Sequence, residues 1–126
     1  MDTIGSSFTA EELEFCISAL QLQIEDIERD LNENKYSKDE RIELTTYIKK
    51  LDEIQDQFLL ENNAFKSADL LQVSDLVEKE RDYLNTILDQ DDIVGEMRKE
   101  AQRHLRTANS LLRKLKKYFQ SFDITV

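Results

Sequence analysis

An all-α protein, and within that class an antiparallel four-helix bundle of long amphipathic helices, is the fold this sequence predicts. Three observations predict it. The 126 residues contain no proline and two glycines, so the turns of a β-rich domain have little material to be made from. Hydrophobic residues make up 40% and charged residues 35%, which suits one helical domain across residues 1–126 and is too short a chain for the usual two. Apolar residues then recur at steps of three and four through four stretches, separated by short polar breaks. Two long helical hairpins pairing across a dimer would show the same pattern and stand as the alternative architecture.

Residues 1–8 lack this periodicity and are expected to form a flexible lead. Thr9-Ala-Glu-Glu12 opens the first helix, because a Thr hydroxyl accepts an orphan backbone N–H and a Glu three residues on reaches back to the cap. Leu13, Ile17, Leu20, Ile24, Ile27 and Leu31 follow as a coiled-coil-like heptad seam. Asn32–Ser37 breaks it with residues that prefer caps and turns, and Ser37-Lys-Asp-Glu40 repeats the capping signature. The second helix carries Leu44, Tyr47, Leu51, Ile54 and Phe58, widened by Ile48 and Leu59. So short a connection folds the two helices into an αα-hairpin.

The pattern lapses around Asn62–Ser67, and a third helix is expected over 69–89. It buries Val73, Leu76, Val77, Leu84, Ile87 and Leu88, with Glu80 interrupting the stripe. Gln90-Asp-Asp92 reads as the N-cap of the fourth helix, where negative charge complements the helix dipole. Val94, Met97, Ala101, His104, Ala108, Leu111, Leu115, Tyr118 and Phe122 form its seam.

Charge divides unevenly along the chain, whose net charge is −10. Residues 1–97 hold 25 acids and 9 bases, whereas residues 98–117 hold eight bases against Glu100. Lys99, Arg103, Arg106, Arg113 and Lys117 fall on one outward ridge of the fourth helix. Such a ridge either neutralises acidic helices of its own molecule or binds an anion or a lipid surface. The acidic body, in turn, admits a phosphate mimic that inhibits a nucleic-acid-binding protein. Strong negative charge opposes nucleic acid as a direct partner, and no window reaches the apolar length of a membrane span.

Cys16 is the only cysteine, which excludes an internal disulfide and a thiolate zinc site and points to a reducing, cytoplasmic or otherwise intracellular setting. The first residues lack the basic start and apolar run of a signal peptide. With one histidine, Glu100 and His104 find no second ligand set, so neither metal nor cofactor is expected. His104 is expected to sit partly buried in its seam, with Glu80 as a possible partner. No nucleophile is placed beside it, and the chain reads as noncatalytic.

Phe8, Phe15 and Leu22 are spaced by seven outside the main seam and, with Ala19, form a second apolar face on the first helix. Such a face either packs within the bundle or binds a partner. Glu11–Glu25 also resembles a ubiquitin-interacting motif, with Glu11, Glu12 and Glu14 as its leading acids and Ala19-Leu20 as its apolar centre. Gln23 stands where that family carries Ser. The function these features predict is a helical protein–protein interaction module, an adaptor, assembly subunit or regulator, with a homodimer expected.

Overall fold

A computed structural model of the chain describes residues 8–59 and 66–121. Within them the backbone forms four α-helices and no strand: α1 Ala10–Glu33, α2 Lys38–Leu59, α3 Ser67–Leu88 and α4 Glu96–Ser121. Residues 1–7 of the expected lead, and Phe122 of the expected fourth seam, lie outside the described residues.

Both predicted capping boxes form. Thr9 Oγ1 accepts from Glu12 N at 3.1 Å while Thr9 N donates to Glu12 Oε1 at 2.7 Å. Ser37 and Glu40 exchange the same two bonds at 3.2 and 3.1 Å. Each box satisfies two donors that the start of a helix leaves without partners.

α1 packs against each of the other three helices, and α3 packs along α4. The cross-helix pairs run start against end. Gln55, late in α2, donates to Ile17 O and Gln21 Oε1 of α1, both at 3.1 Å. Ser67, first in α3, meets the hydroxyl of Tyr118, late in α4, at 3.4 Å. Glu12, early in α1, meets Ser110 and Lys114 of α4. Lys50 of α2 reaches Asp69 of α3 at 3.0 Å. These pairs and the packing of the helices fit a four-helix bundle.

One apolar cluster joins all four helices, including Leu20, Ile24, Leu51, Ile54, Phe58, Leu70, Val77, Leu111, Leu115 and Phe119. Burying each such side chain is worth roughly 1.5–3 kcal/mol against leaving it in water. The paired-hairpin alternative is thereby set aside, since the two hairpins close on each other within one molecule.

Four sequence expectations need correction. Leu59 is exposed, because α2 buries a narrow stripe centred on Leu51, Ile54 and Phe58. His104 is exposed rather than part of the seam, and α4 turns Ala101, Ala108, Leu111, Leu115 and Phe119 inward instead. Val94 and Met97 are each 66% exposed. Gln90-Asp-Asp92 does not cap α4, since Gly95 at φ 65° redirects the chain and the helix begins one residue later.

Candidate functional site

The second apolar face of α1 separates into two environments. Phe8 precedes the helix, so helical spacing does not govern it. It is 9% exposed, with its ring stacked 6.4 Å from that of Phe58 at the end of α2. Phe15, Ala19 and Leu22 come together on one wall of a cleft of about 360 Å³ between α1, α3 and α4. Ala19 is covered, Phe15 half-buried, and Leu22 keeps 46% of its surface in water. Leu84 of α3 lines the same cleft.

The rim is charged and divided by helix. Glu11 and Glu14 line it from α1, Glu80 from α3, and Arg103 and His104 from α4. Burial and the nearby Asp26 push the Glu80 carboxyl above its ordinary range, against the opposing pull of Lys79. Ser18, Glu80 and His104 all border this cleft, yet no hydrogen bond joins His104 to Ser18 or Glu80. Among the described residues, no group of three His, Cys, Asp or Glu side chains is placed to hold a metal ion.

Glu12 holds the α1 side of the bundle to α4, a role beyond the capping function read from sequence. Its Oε2 accepts from Ser110 Oγ at 2.9 Å, and its Oε1 accepts from Lys114 Nζ at 2.5 Å and from Thr9 N at 2.7 Å. Burial raises its pKa, but the bonds from Lys114, Thr9 and Ser110 outweigh burial and hold it below the usual carboxylate value. The capping motif marked the residue; its partners lie about a hundred positions away and had no local signal.

All five ridge residues, Lys99, Arg103, Arg106, Arg113 and Lys117, are exposed on α4. Lys99 and Arg103 pair with Glu96 and Glu100 of their own helix at 3.7 and 3.3 Å. Arg106, Arg113 and Lys117 have no carboxylate within ion-pair distance among the described residues. The ion pair joining α4 to α1 instead uses Lys114, a neighbour of the ridge.

Ala19-Leu20 is the apolar centre of the stretch that resembles a ubiquitin-interacting motif. Here Ala19 and Leu20 are 4% and 0% exposed, covered by the other helices. Cys16 is fully buried, and burial together with Glu12 pushes its thiol far above the ordinary range, so it is a packing residue. No helix of the described residues is long and apolar enough to cross a membrane. No protein-family model, curated protein or solved structure matches the chain.

Proposed function

We propose that this chain is a noncatalytic helical protein–protein interaction module, of the adaptor, assembly-subunit or regulator kind, docking through the cleft between α1, α3 and α4. The observation that carries the reading is Leu22. It lies mid-helix between buried Ala19 and buried Ile24, yet 46% of its surface faces water beside Phe15. Covering such surface drives association, and a rim of mixed charge orients what arrives. The cleft has the depth to take apolar side chains from a partner, while its polar groups are not organised for covalent chemistry.

A photo-crosslinking residue at Ser18, on the cleft rim, tests this in the native host. It is expected to give a covalent protein adduct that disappears in Leu22→Glu, whereas the same probe at Thr45, on the outer side of α2, gives none. Equal labelling from both positions, or adducts indifferent to Leu22→Glu, would sink the reading.

A further inference from the structure

Two of the three helices that border the cleft, α1 and α4, carry opposite charge on their outward sides. α1 exposes Glu11, Glu14 and Glu25, and α4 exposes Lys99, Arg106 and Arg113. Glu11 and Glu14, three apart, repel each other, whereas Lys99 pairs with Glu96 of its own helix at 3.7 Å and Arg106 and Arg113 make no ion pair among the described residues. Among the described residues the ion pair that joins α1 to α4 is made by Glu12 and Lys114, one step inside the two rows.

We propose that a second copy of this chain covers the α1–α4 face, related by a two-fold axis parallel to the helices, so that α1 of each copy lies along α4 of the other. The inference rests on the cleft being a docking surface and names its occupant. A face with an acidic row beside a basic row becomes its own complement after a half-turn about the line between them. A closed pair then satisfies both rows at once.

The register of such a pair is set by the fold. Rotation about an axis parallel to the helices leaves heights along that axis unchanged, so the partner's α1 meets α4 at the level of the molecule's own α1. That level is marked by Glu12, whose carboxylate takes both Ser110 and Lys114. Antiparallel helices of equal rise then bring Glu11 level with Arg113 and Glu25 level with Lys99. Ser18, the uncharged residue of the α1 row, falls level with Arg106. Acid meets base near both ends, and Phe15 and Leu22 lie beside the axis, where each faces its counterpart. An apolar centre inside a charged rim is the usual anatomy of a specific interface.

Two charge-reversed forms of the full chain test the arrangement by sedimentation velocity at micromolar concentration, with thermal melts to establish that each folds. Wild type is expected to be a dimer. Lys99→Glu/Arg113→Glu and Glu11→Lys/Glu25→Lys are each expected to raise the dissociation constant on the order of a hundredfold, since like charges then face each other across the interface. Their equimolar mixture is expected to dimerise again, because the reversed rows complement one another on both sides of the axis. Independently of charge, oxidised Leu22→Cys should form a covalent dimer and Thr45→Cys should not.

A monomeric wild type overturns the proposal, as does a mixture that stays monomeric although both variants fold. Salt-sensitive capture of a monomeric wild type by phosphatidylserine vesicles, lost in Lys99→Glu/Arg113→Glu, would overturn it in favour of a lipid surface. A foreign protein crosslinked at Ser18 of a monomeric wild type overturns the second copy and leaves the docking cleft standing; a monomer that gives no adduct removes both.

Discussion

Glu12 shows how one side chain takes on two duties in this bundle. Its carboxylate is 2% exposed, which is costly for a charge, yet donors from Thr9, Ser110 and Lys114 surround it. Removing one donor leaves a buried anion underpaired. Lys114→Ala is expected to destabilise the fold by about 2 kcal/mol in urea denaturation, below the range for fully buried pairs because the lysine is partly exposed. The pH dependence has a definite sign. The folded pKa of Glu12 is held below its unfolded value, so its contribution is complete above the unfolded carboxylate pKa and is lost as pH falls through the folded one. The melting temperature should therefore fall on acidification more steeply in wild type than in Glu12→Gln. Equal slopes would mean that the network carries no pH-linked stability. The Thr9/Glu12 capping motif was legible from spacing alone, whereas the Ser110 and Lys114 partners required α1 and α4 to be side by side.

At the scale of elements, the turn from α3 to α4 is the least expected local feature. Arg98, in the first turns of α4, donates backwards to Leu88 O and Ile93 O at 3.0 Å each and to Gln90 O at 3.5 Å. It thus satisfies the Leu88 carbonyl that the end of α3 leaves orphaned, and ties down two carbonyls of the connecting turn. Gly95 supplies the left-handed step at φ 65°, where an added Cβ would meet nothing within 4 Å. Strain, and not collision, is then the penalty for a side chain. Gly95→Ala is expected to cost about 1 kcal/mol and Arg98→Ala about 1.5 kcal/mol, with Arg98→Lys failing to restore the loss because an ammonium cannot span the fork. Amide exchange across residues 88–95 should accelerate in Arg98→Ala. Unchanged exchange there would show that the turn holds without the guanidinium. The acidic run at 90–92 imitates an N-cap, and propensity had no means of weighing it against a distant arginine and a positive φ.

Over the whole molecule, the cohesive feature is a core to which every helix contributes, with α1 touching the other three. Ile24 sits in that core at 3% exposure. Ile24→Asp buries an unpaired carboxylate and is expected to cost about 4 kcal/mol or more, enough to abolish cooperative melting by circular dichroism. A variant that melts like wild type would show that α1 does not depend on this seam. The charge pattern is the other property of the whole. Acid and base are separated by element along the chain, and folding sets the acidic outer row of α1 beside the basic outer row of α4 without pairing Arg106, Arg113 or Lys117 among the described residues.

By itself the sequence determined four helices, two of their starts, and most of the residues that face inward, because periodicity and capping act over a few residues and leave a local imprint. It also determined the exposed ridge of α4, since a row of bases opposite an apolar seam has to face water. Tertiary structure alone decided that Phe8 leaves the row of Phe15 and Leu22 to stack on Phe58, and that Ala19 and Leu20 are covered while Leu22 is not. It alone decided that Glu12 is a buried tie to α4 and that His104 lies on the rim of a cleft. The physical reason is the same in each case: a helix with an apolar stripe must bury it somewhere, but which neighbour covers which part depends on the packing of residues far apart in the chain, and heptad spacing carries no record of that choice.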